Sequence, residues 1–288
     1  MIDHLNTKFI EREIVREISE ILNSVGIMFR IFSRSKSSRS VSKKIESDQE
    51  YGKSKKIQDL LGIRIVLYFN DDIETVRNII SRSYSESSND VSIDAVNSEQ
   101  FKALRYNIIY KLPSNHKEDL KLEDLSNLFD YTFELQIRTI FSEGWHEVEH
   151  DLRYKCKSDW KSYELQSRLL NGVYASLETN EWTMIKIFDE LSYNHYLNKE
   201  WEAMFRQKFR MRFLEDKISS DINTIFQNNS IAKKFFRIER NKLIEEMNLR
   251  GFYFPITIDN IIYFGNLVFV KNSEIKRITP NIMINDMT

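Results

Sequence analysis

The sequence predicts an α+β fold in which a mixed β-sheet is flanked by helices and followed by a mainly helical C-terminal extension. Three observations support this prediction. Strand-like runs of β-branched and aromatic residues occur mainly before Thr139. After Thr139 the apolar residues recur almost throughout at helical spacing. With only 7 Gly and 3 Pro in 288 residues, the chain is also poor in tight turns, as helix-rich proteins are.

The individual elements follow from periodicity and turn residues. An amphipathic helix is predicted from Phe9 to Val25, and Gly26 is its expected end. Strands are predicted at 27–32, 62–69, 90–96, 105–111 and 131–137, and a helix is predicted to begin at Asp71. Further helices are predicted at 140–154, 160–177, 181–191, 199–226 and 231–249, whereas 252–270 fits either a hairpin or a short helix. We expect one domain at 1–198 and an extension at 199–288.

Composition excludes several classes of protein. The chain has 42 Lys and Arg against 43 Asp and Glu, which excludes a uniformly basic nucleic-acid coat and leaves local patches. Its single cysteine, Cys156, cannot form an internal disulfide, and we assign it no function. No apolar run approaches the roughly 18–20 residues that a membrane span needs, and the N-terminus does not resemble a signal peptide. We therefore expect a cytoplasmic protein with no membrane partner.

The segment 34–44 carries five cations and five serines and no acidic residue. Two interpretations are open at this point. It is either a solvated, disordered Arg/Ser stretch or a polyphosphate site, in which Ser40 caps a short helix whose N-terminal amides add to the cations.

Two carboxylates also stand out. Asp59 precedes a predicted strand, and Glu134 lies inside an otherwise apolar one. Carboxylates on neighbouring strands can hold Mg²⁺ while leaving coordination positions for nucleotide phosphates. The alternative is structural: Asp59 is a surface turn residue, and Glu134 forms an ion pair with Arg64 or Arg138.

Taken together, these segments resemble the synthetase domain of the RelA/SpoT family, the pyrophosphokinases that make guanosine tetra- and pentaphosphate. Four ordered motifs carry the resemblance between 34 and 155. They stand here as Arg34, Lys36, Ser40 and Lys44; as Asp59, Gly62 and Arg64; as Glu134 to Thr139; and as Trp145, Glu149, His150, Leu152, Tyr154 and Lys155. The resemblance implies a nucleotidyltransferase-like sheet and a synthetase domain at 1–198.

The resemblance also implies roles for these residues. Arg34 and Arg64 would sandwich the adenine of ATP, and stacking suits guanidinium planes. The phosphates would be held by Lys36, Ser40 and Lys44. Asp59 and Glu134 would bind Mg²⁺, and Glu134 would take the proton from the attacking 3′-hydroxyl. The acceptor and phosphate side would be lined or buttressed by Gln136, Arg138, His150, Tyr154 and Lys155.

The acceptor loop departs from the family pattern Asn-Gly-Tyr-x-Ser-x-His. Its counterpart here is 99–105, where Phe101 keeps a stacking face and Lys102 and Arg105 add cations. The main hypothesis is transfer to the 3′-hydroxyl of GDP or GTP. One alternative is a toxin-type enzyme that modifies the 3′ end of tRNA, since cations and an aromatic ring suit an unpaired RNA end. The other is a non-catalytic nucleotide-binding regulator.

Two further features were weighed. The run from His146 to His150 matches the H-E-x-x-H zinc pattern, but no convincing third ligand follows, and the family motif already accounts for Glu149 and His150. For the extension at 199–288 we expect core packing of its aromatic residues. A homo-oligomer contact or a regulatory partner, such as an antitoxin, is the further hypothesis for this part.

Overall fold

The computed structural model describes residues 5–87, 92–93, 106–120, 122, 125–215 and 217–287. These residues form two compact units. The first unit lies within Met1–Ser19 and Phe29–Asn180, and the second within Glu20–Met28 and Glu181–Thr288. The sequence-based boundary between 198 and 199 stays a prediction. Within the described ranges, no helix combines the length and the hydropathy needed to cross a membrane.

The first unit is built on a five-stranded sheet with the order β1-β2-β5-β4-β3. The strands are β1 (Phe29–Ser35), β2 (Leu61–Leu67), β3 (Ser92–Ile93), β4 (Tyr106–Lys111) and β5 (Thr132–Thr139). The central pair β2 and β5 is parallel, and the other pairs are antiparallel, so the sheet is mixed. The predicted α+β class with a mixed sheet and flanking helices is confirmed.

Helices surround this sheet. They are α1 (Thr7–Ser24), α2 (Ser38–Ser47), α3 (Ile73–Ser83), α4 (Ser114–Leu120), α5 (Ile140–Glu149), α6 (Lys157–Trp160) and α7 (Glu164–Asn198). A π-helical turn, His150–Tyr154, continues α5. Gly26 has a φ of 71° after α1, as its predicted role as a helix end requires. The first strand begins at Phe29 and not at Ile27, because the amide of Ile27 still bonds to the carbonyl of Leu22.

The two faces of the sheet differ in polarity. Successive residues of a strand point to opposite faces, and one face is apolar. Its fully or almost fully buried side chains include Ile63, Ile65, Ile108, Tyr110, Phe133, Leu135 and Ile137. The aromatic rings Tyr84, Tyr110 and Phe133 contact one another, with centroid distances of 5.2 to 6.2 Å. This face forms the core of the unit and leaves the opposite face for polar side chains.

The second unit is helical. Besides the C-terminal part of α7, it contains α8 (Trp201–Phe209), α9 (Ser220–Phe226), α10 (Asn229–Phe236), α11 (Arg240–Leu249), α12 (Ile258–Gly265), α13 (Ser273–Ile278) and α14 (Asn281–Met287). A π-helical turn, Asn266–Val270, follows α12. Its core is rich in aromatic residues, as expected for this part of the chain: Trp201, Phe205, Phe209, Phe226, Phe235, Phe252 and Phe264 are all buried.

Four helix predictions were wrong in their bounds. Most of 160–177 and all of 181–191 belong to the single helix α7, which begins at Glu164. The segment 199–226 is two helices, because Arg210 takes a left-handed conformation with a φ of 42° and ends α8. The guanidinium of Arg240 donates to the carbonyls of Phe209 and Arg210 and so caps this helix end. Similarly, 231–249 divides into α10 and α11. The open choice at 252–270 resolves in favour of helix.

Candidate active site

The polar face of the sheet carries a cleft of about 230 Å³. Strand register places Gly62 opposite Arg34 of β1 and beside Glu134 of β5, and it places Arg64 beside Gln136. Paired residues on neighbouring strands share a face, so these side chains meet. The cleft is lined by Phe32, Ser33, Arg34, Gly62, Ile63, Arg64, Glu134, Gln136 and Glu147. Residues from three of the four sequence motifs therefore share one cleft.

Gly62 lines the cleft and has no side chain that would occupy it. A Cβ atom at this position would lie 3.6 Å from Cγ and 3.8 Å from Nε of Arg34, which is ordinary van der Waals contact. Any larger side chain would have to displace Arg34, an exposed side chain at the cleft. The glycine of the motif thus leaves room for the side chain of Arg34.

A second cluster forms around Asp59. Its two carboxylate oxygens accept hydrogen bonds from Nζ of Lys36 at 2.5 Å and from Nζ of Lys44 at 2.9 Å. Burial opposes ionisation of Asp59, but the two ammonium groups outweigh it and hold the pKa of the carboxyl below its usual value. Burial likewise opposes the charge of Lys44, and Asp59 raises the pKa of this lysine. The carboxylate therefore offsets one of the two lysine charges and leaves the cluster with one net positive charge.

The short helix predicted after Arg34 is present as α2, but its cap is not Ser40. Ser37 is the N-cap residue, and its side chain accepts a hydrogen bond from the amide of Ser40. Ser40 lies in the first turn of α2, with its exposed Oγ 2.9 Å from Oγ of Ser37. Of the two interpretations of segment 34–44, a disordered Arg/Ser stretch does not fit, because most of the segment is β1 and α2.

Arg64 is held by three acceptors, two of which the sequence did not indicate. Its Nε donates to Oε1 of Gln136 at 3.0 Å. Its Nη1 donates to Oε1 of Glu143 at 2.6 Å and to Oε1 of Glu147 at 2.5 Å. Burial works against the charge of Arg64, but the two glutamates raise its pKa. Glu143 and Glu147 are one helical turn apart on α5, a spacing that would have shown only that they share a helix face.

Glu134 does not pair with Arg64 as the structural alternative had it, because the partners of Arg64 are Gln136, Glu143 and Glu147. Its side chain is partly exposed and lines the cleft. Arg138 is 4% exposed, and its Nε lies 3.4 Å from Oε2 of Glu143, so it contacts the site from the protein interior. The carboxylate of Glu134 is therefore accessible to a ligand in the cleft.

The cleft and the Asp59 cluster suit a magnesium ion by the chemistry of their donors. Mg²⁺ takes oxygen ligands and is usually held by one or two carboxylates together with substrate phosphates. Asp59 already has both oxygens directed at cations, and Glu134 offers a second carboxylate in the cleft. No group of three or more His, Cys, Asp or Glu side chains that could hold a metal occurs in the described part of the chain. The roles of Asp59 and Glu134 in holding Mg²⁺ stay predictions.

The last motif lies on α5 and the π-helical turn. The rings of His146, His150 and Tyr154 follow one another with centroid distances of 5.9 and 5.7 Å. Nζ of Lys157 lies 4.3 Å from the centroid of the Tyr154 ring. Lys155 pairs with Asp151 at 2.6 Å. Of the residues that the structure describes, His150, Tyr154 and Lys155 are outside the cleft lining and largely or partly exposed.

The zinc pattern finds no support in this geometry. Glu147, which would be the catalytic base of a zinc protease, is bound to Arg64. Nδ1 of His150 lies 3.0 Å from Oδ1 of Asp151. Glu149 is buried and pairs with Arg153, whose guanidinium also bonds to Asn171 of α7. The charged residues of this run therefore anchor helices and Arg64.

The predicted acceptor residues Phe101, Lys102 and Arg105 lie outside the described residues, as does most of the predicted strand 90–96. Their roles stay predictions.

Comparison with known proteins agrees with this architecture. A crystal structure of small alarmone synthetase 2 from Bacillus subtilis has the same fold: the TM-score is 0.50 and the identity 21%, over 64% of this chain and 95% of that chain. Small alarmone synthetase 1 from Bacillus subtilis matches with a TM-score of 0.44 and 21% identity, over 62% of this chain and 92% of its own. A GTP pyrophosphokinase family protein from Streptococcus pneumoniae matches with a TM-score of 0.46 and 19% identity, over 62% and 88%.

The fold is thus that of the small alarmone synthetases. Residues 33–159 match the model of the family described as the region found in RelA / SpoT proteins. For residues 33–159, this match confirms the predicted resemblance to the RelA/SpoT family. No curated protein matches the chain.

Proposed function

We propose that this protein is an ATP-dependent pyrophosphokinase that transfers the β,γ-diphosphate of ATP to the 3′-hydroxyl of GDP or GTP. One observation carries the proposal: strand register brings Arg34, Arg64 and the accessible carboxylate of Glu134 to one cleft. A pair of guanidinium groups suits a nucleobase, because both of its faces can be stacked. The RelA/SpoT-family match of 33–159 supports the same type of reaction.

The donor would bind along the line from the cleft to the Asp59 cluster. Adenine lies between Arg34 and Arg64, and its triphosphate lies against Lys36, Ser40 and Lys44. The two lysines are already desolvated in part and oriented by Asp59, so they exchange one anionic partner for another. Asp59 and Glu134 would hold Mg²⁺, which when bound neutralises phosphate charge and aligns the groups for in-line attack.

In the transfer step, the 3′-oxygen of the acceptor forms a bond to the β-phosphorus of ATP. The bond between this phosphorus and the oxygen that bridges to the α-phosphate breaks, and AMP leaves with that oxygen. The carboxylate of Glu134 accepts the proton of the 3′-hydroxyl. Because the reaction moves charge among phosphate oxygens, positioning and charge neutralisation by Lys36 and Lys44 supply most of the remaining acceleration.

A second candidate acceptor is the 3′ end of tRNA. The row of rings at His146, His150 and Tyr154, with Lys157 against the last one, favours this alternative. Exposed rings with adjacent cations suit the unpaired bases of an RNA end. The sequence of the acceptor loop, with Phe101, Lys102 and Arg105, is compatible with either acceptor.

The test is a label-transfer assay. Purified protein and ATP labelled in the γ-phosphate are incubated with Mg²⁺ and either GDP, GTP or deacylated tRNA, and the products are separated. We expect label on the guanine nucleotide and release of AMP. Label on tRNA alone would replace the proposed acceptor, and AMP release that is equal in Glu134→Gln would remove the mechanism. A protein that binds ATP but transfers nothing to either acceptor would be the non-catalytic regulator.

We also propose that the enzyme works in the cytoplasm, because its one cysteine, Cys156, gives no internal disulfide that an oxidising compartment would favour. Fractionation of cells that produce the protein tests this directly.

A further inference from the structure

The position of Arg64 depends on helix α5 as well as on its own strand. Gln136 of the neighbouring strand holds Nε, while Glu143 and Glu147 of α5 both hold Nη1. A long arginine side chain on a strand has many rotamers available. Its orientation in the cleft is therefore decided by these three acceptors, and two of them come from the helix.

The two glutamates differ in environment although they share a partner atom. The side chain of Glu143 is 16% exposed, whereas that of Glu147 is 55% exposed. Glu143 also lies 3.4 Å from the buried Arg138, so it links two arginines. An exposed ion pair is screened by water and contributes little, while a partly buried charged hydrogen bond is stronger. Glu143 is thus expected to contribute more than Glu147 to fixing Arg64.

Glu143 itself is held on a rigid element. Thr139 ends β5 and caps α5 in a capping box with Ser142, so no loop separates the strand from the helix. Trp145 is buried against Tyr174 with a centroid distance of 4.9 Å, and its indole nitrogen donates to the carbonyl of Leu170. The first two turns of α5 are therefore fixed relative to the cleft, and with them the carboxylate of Glu143.

We propose that Glu143 is a positioning residue for the nucleobase of the donor: it holds the Arg64 guanidinium in the orientation that stacks on the base. The inference rests on the proposed function, in which Arg64 contacts adenine. It assigns Glu143 no contact with the phosphates or with the reacting atoms. Loss of its charge should therefore weaken binding of the base and spare binding of the phosphates.

The experiment compares two ligands by isothermal titration calorimetry in the presence of Mg²⁺. One is α,β-methylene-ATP, which has base and phosphates, and the other is tripolyphosphate, which lacks the base. Glu143→Gln is expected to weaken binding of α,β-methylene-ATP about tenfold and to change binding of tripolyphosphate less than about twofold. Glu86→Gln is the matched control, because Glu86 is a partly exposed glutamate that pairs with Arg77 outside the cleft lining. Its change should stay below about twofold for both ligands.

Three outcomes would overturn the inference. Equal affinity of Glu143→Gln and the wild type for α,β-methylene-ATP would show that Glu143 does not position Arg64. Equal weakening of both ligands would show a general structural effect, which the melting temperature of the variant would report independently. Glu143→Asp retains the charge and is expected to recover part of the affinity, and no recovery in this variant would contradict a role through charge. Absence of α,β-methylene-ATP binding in the wild type would instead contradict the proposed function itself.

Discussion

Strand β5 presents Glu134 and Gln136 to the cleft, while Leu135 and Ile137 between and beside them are buried in the core. The same alternation runs through β2, where Gly62 and Arg64 face the cleft and Ile63 and Ile65 are buried. One face of the sheet is thus held by charged hydrogen bonds, and the other by apolar packing. The comparison indicates that function and stability can be changed separately on a single strand.

The largest expected effects test this separation with two adjacent residues of β5. Glu134→Gln should lower the rate of diphosphate transfer by about 10²–10⁴-fold, the range for loss of a general base, with little change in stability. Leu135→Ala should lower the free energy of unfolding by about 3 kcal/mol, because it leaves a cavity in the core, while the KM for ATP of the folded protein stays the same. Transfer kinetics and urea unfolding measure the two quantities, and a variant that changes both to a similar degree would break the comparison.

A smaller effect concerns the apolar face at high pH. Burial raises the pKa of Tyr110 to about 12, although its hydrogen bond with Ser81 lowers it, against an ordinary value of 10.0. Because the pKa is raised in the folded state, the contribution of Tyr110 to stability is fully present below pH 10 and is lost as the pH rises towards 12. Between these pH values, we expect ionisation of this residue to lower the free energy of unfolding of the wild type by on the order of 2 kcal/mol.

Tyr110→Phe should show a weaker loss of stability between these pH values, measured by urea unfolding at each pH. Tyr163→Phe is the control, because Tyr163 is 56% exposed and should behave like the wild type. If Tyr110→Phe and the wild type lost stability in parallel, the buried hydroxyl would not be the responsible group.

The smallest effect concerns the charged cluster beside the cleft. Asp59→Asn removes the carboxylate that pairs with both Lys36 and Lys44. The rate of diphosphate transfer with Mg²⁺ should fall. Binding of ATP in EDTA should become about tenfold tighter, because the lysines no longer lose hydrogen bonds to a carboxylate when they bind the phosphates. Calorimetry with and without Mg²⁺ measures this.

Asp48→Asn serves as the control for Asp59→Asn, because Asp48 forms an exposed pair with Lys55. It should leave both affinities unchanged. If Asp59→Asn bound metal-free ATP no more tightly than the wild type, the pairing of charges in the cluster would have no bearing on donor binding.

Much of the sheet and of the site was predictable from local pattern. Runs of β-branched and aromatic residues at 62–69 and 131–137 predicted β2 and β5. The charged Glu134 within an apolar strand left two interpretations open, a magnesium ligand or an ion pair. The contacts of Arg64 were not predictable in this way. Glu143 and Glu147 are 79 and 83 residues away in the chain, and only the folded structure brings them to Arg64.

The helical part shows where local pattern misleads. The predicted break between 177 and 181 is absent, because the segment has neither Gly nor Pro and α7 continues through it. The opposite error occurred at Arg210, where a single helix was predicted from 199 to 226 but α8 ends. The left-handed conformation of Arg210 is stabilised by Arg240, a contact between distant residues that no local pattern contains.

The direct joint between β5 and α5 at Thr139 and Ile140 limits how this domain can vary in length. Successive residues of an α-helix are rotated by about 100° about the helix axis. Insertion of a single residue after Ser142 would therefore rotate Glu143 and Glu147 away from Arg64 together, even though no residue is lost. Surface loops of the same domain tolerate insertions at little cost in free energy. In contrast, the junction of β5 and α5 fixes the position of the Glu134 carboxylate relative to the carboxylates of Glu143 and Glu147, which bind Arg64.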